Sequence, residues 1–376
     1  MRARATSFAA RGESPTRVAR RAAEAAQAVV RPSAALIFVS GVLGGRLADL
    51  AGPLSHALPD IPVLVASGHG VLSERGELEG ETAASGVIWS GGSSEAVAAD
   101  SAESDVGVAL AKALAPRARG SSSAFVFARP RGFSPQTLEP LVGQQLGALV
   151  GGGTTGDSGV LVMMPGRPPQ VSDAGALVCR AGSAPVVRAS AACRLLSPLS
   201  RITSVRGPMV LELEGQTALE ALSSATRTLT NQPLVFVALA TEEDNDDGRA
   251  PLLLRGIQGV DPARQGVLVS EEVRHGMRMG FAVRDAAAAR VDLESTALRV
   301  ARDAAGAAAC FGVYMSCAGR GKALYGTSDV DVRVLKHRFP SLPIAGMHSS
   351  FEIAPHAGVP SLQLYTGVMA LFTAPS

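Results

Sequence analysis

Three stretches of the chain repeat one order of predicted elements: an apolar strand, a helix, a second strand and a glycine-rich corner. They span residues 34–72, 124–157 and 309–352. A strand, a crossover helix and a second strand in this order place the two strands side by side and parallel. The recurrence predicts an internal duplication and a fold assembled from related βαβ units.

The last stretch shows the pattern most completely. Ala309–Met315 is an apolar run of strand length, and the glycine-rich segment Ser316–Gly321 predicts a loop. Apolar residues at helical spacing follow until Pro340, which ends the helix. Leu342–Met347 returns as a strand. We therefore expect His348–Glu352 just past its carboxyl end, where open α/β sheets bind ligands.

The first stretch has strands at Ala34–Val39 and up to Val65, and its corner is Ala66–Val71. A leucine stripe between the strands predicts an amphipathic helix. We expect this helix to end near Ala51, because Gly52–Pro53 would interrupt it.

The middle stretch begins with the strand Ala124–Ala128, and Ser134–Leu146 predicts a helix opened by a Ser-Pro pair. Its corner, Leu149–Asp157, lacks the Lys-Ser/Thr pair of a phosphate-binding loop. The apolar run Ser158–Met164 predicts a buried strand, with Ala174–Arg180 as its hairpin partner.

The composition favours a globular protein with well-buried sheets. Of 376 residues, 47% are hydrophobic and 18% are charged, and this length exceeds what one ordinary core holds. We therefore expect an α/β (α+β mixed) fold of two domains, in which mixed β-sheets are flanked by helices. A segment with serines and a proline at 195–204 predicts the boundary between a domain at 5–200 and a domain at 206–376.

Charge and cysteine usage exclude several classes of protein. The net charge of +2 and the lack of a basic face with interleaved aromatic residues argue against nucleic-acid binding. No uninterrupted apolar run reaches membrane-spanning length, so we expect no membrane insertion and a cytoplasmic location. The four cysteines have no zinc-ligand spacing, which predicts reduced thiols and no metal site.

One acidic run, Glu242–Asp247, has two interpretations. Clustered carboxylates can bind a hard cation such as Ca²⁺. The run lacks the alternating ligands and the distal glutamate of a calcium loop, so the alternative is an exposed acidic loop.

Several segments together resemble the FIST family, sensory proteins with an N-terminal and a C-terminal FIST domain. The matching segments are Ser67–Leu72 with Glu77–Gly80, Gly151–Asp157, Glu212–Leu219, Phe281–Asp285 with Ala289, Ser316–Gly321, Ile344–Gly346, Glu352–Ala357 and Tyr365–Gly367. They cover nearly the whole chain in the family's order. The resemblance implies a FIST N-terminal-like domain at 5–200 and a FIST C-terminal-like domain at 206–376.

The resemblance also implies a bacterial-type signalling module that binds small molecules, amino acids among them. Some members of the family are similar to haem-dependent nitric oxide sensors. This sequence departs from the family pattern in the presumed site. Ala66 stands where a cysteine is common, His69 where a glycine is usual, and Phe351 where a glycine precedes Glu352, while His348 and Ser349 replace bulky apolar residues. The identity of the ligand is therefore not carried over.

We expect the three corners and the loop 316–321 to converge on a pocket for a small polar ligand. Glycine amides can form an anion-binding concavity there, Arg320 can bind a carboxylate with two hydrogen bonds, and Glu352 or Asp157 can bind an ammonium group. The predicted ligand-binding residues are Ser67, Gly68, His69, Gly70, Gly152, Gly153, Thr154, Asp157, Cys317, Gly319, Arg320, His348, Ser349 and Glu352. The alternative is that the glycines only permit tight turns, and that Arg320 and Asp157 pair with each other or with helix ends.

Two further functions stay open. Cys317 beside Arg320, with His348 near it, suggests a reactive thiol and an enzyme, whereas the other interpretation is a packed, inert thiol. A haem-dependent gas sensor rests on the family resemblance alone. We expect a non-enzymatic sensor of an amino-acid-like metabolite, with no catalytic residue and no cofactor. Because the chain shows no kinase, cyclase or output region, we expect a separate signalling partner protein.

Overall fold

The computed structural model describes residues 4–100, 105–118, 122–144, 146–180, 184–230, 233–240 and 252–373. The strands up to residue 191 are β1 (Ala5–Arg11), β2 (Pro32–Ser40), β3 (Val63–Gly68), β4 (Gly70–Ser73), β5 (Gly76–Glu79), β6 (Ala83–Ser90), β7 (Ser93–Ala99), β8 (Ser122–Ala128), β9 (Ala148–Gly153), β10 (Val160–Met163), β11 (Gln170–Ser172), β12 (Ala174–Arg180) and β13 (Val186–Ala191).

The later strands are β14 (Cys193–Leu195), β15 (Ser200–Arg206), β16 (Met209–Leu213), β17 (Gln216–Thr217), β18 (Val235–Ala240), β19 (Leu253–Asp261), β20 (Gly266–Val269), β21 (Arg278–Arg284), β22 (Ala309–Cys317), β23 (Ile344–Ser349), β24 (Glu352–His356), β25 (Val359–Gln363) and β26 (Thr366–Thr373). The helices are α1 (Pro15–Ala28), α2 (Leu47–Ala57), α3 (Val106–Leu114), α4 (Ala218–Thr226), α5 (Ala286–Asp303), α6 (Gly321–Tyr325) and α7 (Val330–Arg338), with 3₁₀ helices at Gly41–Arg46 and Pro135–Leu141.

Each of the three similar stretches forms a parallel pair of neighbouring strands. The pairs are β2–β3, β8–β9 and β22–β23, and antiparallel strands complete each sheet. Mixed sheets flanked by helices confirm the predicted α/β (α+β mixed) fold class. The internal duplication stays a prediction.

The chain divides into two compact units that do not follow its linear order. Unit 1 contains Met1–Ser190, Leu293–Leu362 and Thr366–Ser376, and unit 2 contains Ala191–Asp292 and Gln363–Tyr365. Strands β22 to β24 therefore belong to the same unit as β1 to β12. The predicted domain boundaries, 5–200 and 206–376, stay a prediction.

Unit 1 contains three six-stranded sheets. Sheet A has the order β1-β6-β2-β3-β10-β11, sheet B the order β25-β24-β9-β8-β12-β7, and sheet C the order β13-β26-β22-β23-β4-β5. One hydrophobic core takes side chains from all three sheets, including Phe38, Phe125 and Met315. Burying each such side chain contributes about 1.5–3 kcal/mol.

The alternation of side chains along a strand explains how helices cover the other faces of these sheets. In β2, Leu36 and Phe38 face the shared core, whereas Ile37 and Val39 pack in a second cluster with α1 and α2. In sheet C, Tyr314 and Ile344 pack with residues of α5 and α7. Sheet C is therefore covered by helices on the face opposite the shared core.

Unit 2 is built on one sheet, sheet D, with the order β14-β21-β15-β16-β20-β19-β18. Its core includes Val210, Val237 and Phe281. Helix α4 starts with a capping box, in which the Thr217 hydroxyl accepts from the Glu220 amide and the Glu220 carboxylate accepts from the Thr217 amide.

The prediction that the first crossover helix ends near Ala51 is wrong. Helix α2 continues to Ala57 with Pro53 inside it. The ring of Pro53 costs about 3 kcal/mol in a helix interior. Leu47, Leu50 and Leu54 are all buried on one face of α2, and that burial outweighs the cost.

Two predictions for the middle stretch are also wrong. The predicted helix Ser134–Leu146 is a short 3₁₀ helix that ends at Leu141, next to the helix-breaking Pro140. The hairpin partner of β10 is β11, whereas β12 pairs with β7 and β8. The apolar character of β12 indicated a buried strand, but pairing between distant strands cannot be read from local pattern.

The corners are more extended than predicted. Strand β3 reaches Gly68 and β4 begins at Gly70, so the first corner is a bend at His69. His348 and Ser349 are the last two residues of β23 rather than the residues after it. Strand β22 likewise extends through Ser316 and Cys317, and α6 begins at Gly321, which shortens the predicted loop.

Two other expectations meet the structure only in part. Within the described residues, no helix has both the length and the apolar character that crossing a lipid bilayer requires. The acidic run Glu242–Asp247 lies outside the described residues.

Candidate functional site

The three corners meet at one place in unit 1. Backbone hydrogen bonds connect them in pairs: the His69 amide donates to the His348 carbonyl (2.8 Å), the Thr155 amide to the Ser67 carbonyl (3.1 Å), and the Gly153 amide to the Phe351 carbonyl (2.8 Å). The corner residues predicted to converge therefore do lie together, at the carboxyl ends of the parallel strand pairs.

The glycines of the corners allow these close approaches. A Cβ atom on Gly68 would lie 2.8 Å from the Gly70 carbonyl oxygen and 2.8 Å from Cβ of Met347. A Cβ atom on Gly152 would lie 2.6 Å from the Phe351 carbonyl oxygen, and the space beside Gly153 is taken by the Phe351 ring. At Gly68, Gly152 and Gly153 the glycines therefore permit tight packing of the chain, which agrees with the alternative interpretation that they only permit tight turns.

The polar residues of the first two corners differ in exposure. Ser67 and Thr154 are fully buried, and the Thr154 hydroxyl donates to the Ser158 carbonyl (2.5 Å). His69 and Asp157 are exposed. Of these side chains, only His69 and Asp157 can meet a ligand without movement of the chain.

Arg320 pairs with a carboxylate of the protein itself. Its Nε and Nη2 atoms donate to the two oxygens of Asp331 (2.9 and 3.0 Å), and both side chains are buried. Asp331 also accepts from the hydroxyls of Tyr314 (2.7 Å), Tyr325 (2.8 Å) and Ser316 (3.3 Å). Asp331 lies in the first turn of α7, so Arg320 pairs with a helix end, as the alternative interpretation proposed.

Electrostatics keep this pair charged. Burial alone would raise the pKa of Asp331, but the adjacent Arg320 guanidinium and the donated hydrogen bonds hold that pKa below its usual value. Burial raises the pKa of Tyr314 well above its ordinary range, so its hydroxyl stays a donor. The arrangement is a fully hydrogen-bonded buried ion pair, not a free carboxylate receptor.

Cys317 and His348 lie on opposite faces of sheet C. Ser316 is directly opposite His348 and Cys317 is opposite Ser349, and successive side chains on a strand point to opposite faces. The buried thiol of Cys317 therefore faces away from the imidazole. Gly319 is half-buried in the turn between β22 and α6.

Ser349 and Glu352 form a separate buried group. The Ser349 hydroxyl lies 2.8 Å from Oε1 of Glu352, and the Thr366 hydroxyl lies 2.7 Å from Oε2. Burial raises the pKa of Glu352 to about 8, and these hydrogen bonds only partly oppose the shift. Glu352 is therefore mostly protonated near neutral pH, which does not suit an ammonium group.

The register of sheet C brings a glutamate of β5 toward the end of β23. Tyr314 is opposite Gly346, Gly346 is opposite Leu72, and Leu72 is opposite Glu77. Residues in one such row project from the same face of a sheet. The side chain of Glu77 therefore shares the face of Tyr314, beneath α7.

The next row of the same face carries Glu79 and His348. Gly70 is opposite Glu79, and a Cβ atom on Gly70 would lie 3.0 Å from Cδ2 of His348. One oxygen each of Glu77 and Glu79 and one ring nitrogen of His348 lie within 4.8 Å of one another. We call these three residues the Glu77–Glu79–His348 cluster.

The cluster is mostly buried and only partly hydrogen-bonded. Oε1 of Glu77 accepts from the Val332 amide (3.0 Å), and both oxygens of Glu79 accept from the Lys322 amide (3.1 Å each). Oε2 of Glu77 and both ring nitrogens of His348 have no hydrogen-bond partner among the described residues. His348 Nε2 and Glu77 Oε2 are 3.8 Å apart, too far for a hydrogen bond.

Burial shifts both titrating groups toward their neutral forms. It raises the pKa of Glu77 to about 7, with a further contribution from the negative charge of Asp331. It also lowers the pKa of His348. Buried polar atoms without a partner cost free energy, so this cluster is the part of the corner region best suited to bind something.

Sequence reasoning found His348 and His69 but missed Glu77 and Glu79. The segment Glu77–Gly80 was named only among the segments that resemble the FIST family, without a role for its carboxylates. A signal was present: Glu77 and Glu79 flank the partly buried Leu78, the alternation of a strand with one polar face. The pairing of β4 with β23 was not predictable from that local pattern.

Two domain families match the chain. The FIST N domain matches residues 33–216, and the FIST C domain matches residues 215–355. Together they cover every segment that forms the corners and the Glu77–Glu79–His348 cluster.

Mycobacterial proteins are among the relatives. An uncharacterized protein of Mycobacterium bovis and one of Mycobacterium tuberculosis are each 33% identical over 195 residues, which is 50% of this chain and 50% of theirs. A second uncharacterized protein of Mycobacterium tuberculosis is 30% identical over 190 residues, 49% of each chain. The chain spans about half the length of these curated relatives. The two domain matches show that it belongs to the FIST family, whose domains are generally small-ligand sensory domains in signal transduction.

Proposed function

We propose that this protein is a non-enzymatic sensor that binds an amino-acid-like metabolite next to the Glu77–Glu79–His348 cluster. The observation that carries the proposal is the accessible edge of this cluster, formed by the half-buried Glu79 and by the exposed His69, whose amide donates to the His348 carbonyl. It lies at the carboxyl ends of β22 and β23, the end of a parallel sheet at which ligands bind.

The exposed side of the cluster suits a ligand with a positive centre. Glu79 is half-buried and His69 is exposed, so both can meet a molecule that arrives from solvent. Carboxylates here favour an ammonium group, while Arg320 is occupied by Asp331. The proposal therefore assigns the ammonium partner to Glu79, whereas the sequence led us to expect Glu352 or Asp157.

Signalling then requires a shift between conformations. Glu79 contacts the start of α6 through the Lys322 amide, and Glu77 contacts α7 through the Val332 amide. A ligand that binds these carboxylates weakens their hydrogen bonds to α6 and α7 and so shifts the balance between two positions of these helices. A separate partner protein in the cytoplasm then binds one of the two conformations.

We propose that the protein catalyses no reaction and binds no haem. The first part is supported by Cys317 and His348, which lie on opposite faces of sheet C and so do not suit a catalytic thiol–imidazole pair. A visible absorption spectrum of protein expressed with haem tests the second part, since a strong band would contradict it.

A thermal-shift screen with amino acids and simple amines tests ligand binding. A ligand at a hundred times its Kd stabilises the folded state by about 2.7 kcal/mol. We expect at least one compound to raise the Tm by several degrees, and Glu79→Gln to remove the rise. The exposed control Glu139→Gln should keep it. A screen in which no compound raises the Tm, or a rise that Glu79→Gln leaves intact, contradicts the proposal.

A further inference from the structure

The buried part of the Glu77–Glu79–His348 cluster has features that the sensory function does not explain. Glu77 and His348 have side chains only 1% and 2% exposed, and they come from β5 and β23. Both ring nitrogens of His348 and Oε2 of Glu77 lack a partner among the described residues. A buried imidazole that faces two carboxylates without a hydrogen bond is expected to be balanced by a ligand.

The distance between the buried atoms separates two classes of cation. A metal ion bonded at about 2.0–2.2 Å to each of two ligand atoms holds them about 3.3–4 Å apart. An ammonium nitrogen at about 2.8 Å from each of two acceptors holds them about 4.6 Å apart. His348 Nε2 and Glu77 Oε2 are separated by 3.8 Å, which fits the metal ion better.

The chemistry of the three side chains indicates the kind of metal. One imidazole nitrogen and two carboxylate oxygens suit first-row transition metals, whereas Mg²⁺ and Ca²⁺ prefer oxygen ligands alone. A neutral imidazole nitrogen donates an electron pair to such a metal ion.

Neighbouring groups hold the carboxylates in place. The Val332 amide fixes Oε1 of Glu77 and leaves Oε2 toward His348. The Lys322 amide fixes Glu79. The Glu77 amide in turn donates to the Asp329 carboxylate at 2.6 Å. Such contacts orient metal ligands before the metal binds.

We propose that Glu77, Glu79 and His348 bind one divalent first-row transition-metal ion. The site goes beyond the sensory function: an ion held by Glu79 would compete with an ammonium ligand for that carboxylate, so metal binding is tested separately from ligand sensing. It also departs from the expectation of no metal site, since residues so far apart in the chain show no ligand spacing.

Titration with Co²⁺, followed by visible absorption, and with Zn²⁺, followed by calorimetry, tests the site on the full-length protein. We expect one ion per chain, a rise in Tm with either metal, and much weaker binding of Mg²⁺. Glu77→Gln and Glu79→Gln should each weaken binding at least tenfold. The exposed controls His337→Gln and Glu139→Gln should bind as the wild type does.

Glu79 is only half-buried, so we expect Glu79→Gln to fold even if the buried substitution Glu77→Gln does not. Glu79→Gln then tests the site by itself. Far-UV circular dichroism of each variant without metal establishes that it is folded. The proposal is overturned if the folded wild type binds neither metal, or if Glu79→Gln binds with unchanged affinity, which would assign the ion to cysteines or exposed histidines. Binding of Mg²⁺ as tight as that of Zn²⁺ would overturn the assignment to transition metals.

Discussion

Two buried carboxyl groups of unit 1 show how the partner of a side chain decides its charge. Asp331 faces the Arg320 guanidinium and three hydroxyl donors, and its pKa lies below the usual value despite burial. Glu352 accepts hydrogen bonds from the Ser349 and Thr366 hydroxyls and from the Thr366 amide, and burial raises its pKa to about 8. The sequence shows both as acidic residues, and the difference arises from packing.

Glu352 should make the protein less stable as the pH rises. Between its ordinary pKa of 4.5 and the folded-state value of about 8, the folded protein holds a proton that the unfolded chain has released. The free energy of unfolding therefore falls with rising pH through this window. Glu352→Gln cannot titrate, so its stability relative to wild type should rise between about pH 5 and pH 8.

Urea unfolding at several pH values measures this difference. The exposed control Glu139→Gln should follow the wild-type profile. Parallel profiles for wild type and Glu352→Gln would show that Glu352 is ionised in the folded protein, contrary to the account.

Removing the charge of Asp331 should be costly. Asp331→Asn leaves the buried Arg320 guanidinium without a counter-ion, and breaking a buried pair in this way costs about 3–5 kcal/mol. Asp49→Asn breaks the half-exposed Arg46–Asp49 pair and should cost less than about 1 kcal/mol. Equilibrium unfolding measures both, and similar losses for the two variants would contradict a structural role for the buried pair.

The corners are built from strand ends, and their glycines mark where strands from different sheets touch. Gly68 ends β3 against Met347 of β23, and Gly152 of β9 lies against Ser349 of β23. Glycine runs of this kind predict turns from sequence, because glycine has low strand propensity. Here pairing with neighbouring strands outweighs that propensity.

Adding a methyl group at one corner should therefore destabilise the protein. Gly68→Ala places Cβ within 2.8–2.9 Å of two carbonyl oxygens and Cβ of Met347 and should cost about 1–3 kcal/mol. Gly45→Ala, at an exposed position of the 3₁₀ helix Gly41–Arg46 with no atom beyond its chain neighbours within 4 Å, should stabilise by about 0.4–1 kcal/mol. Urea midpoints of both variants measure the contrast. A neutral Gly68→Ala would mean that the corners are not tightly packed.

Sequence pattern predicted elements better than their connections. The three parallel strand pairs and helix α7 follow from the order of apolar strands and helices in the sequence. The course of α2 past Pro53 and the pairing of β12 with β7 did not, because burial of Leu54 and pairing between distant strands decide them. Local pattern carries no information about such partners.

At the scale of the whole molecule, the candidate site joins residues that are distant in the chain. Glu77 and His348 come together because β23 pairs with β4, which pairs with β5. The sequence predicted His348 just past an apolar strand, and the structure has it as the next-to-last residue of β23, beside the corner. From the sequence we predicted that Arg320 binds the carboxylate of a ligand. In the structure Arg320 binds the carboxylate of Asp331, which lies only eleven residues later in α7.

The most direct test of the account is hydrogen–deuterium exchange of the full-length protein with and without an equimolar mixture of amino acids and simple amines. Ligand binding at this end of sheet C predicts slower exchange in peptides covering 67–79 and 344–349, and no such protection in Glu79→Gln. Protection confined to other segments, or none in the wild type, would contradict the claim that this end of sheet C binds the sensed ligand.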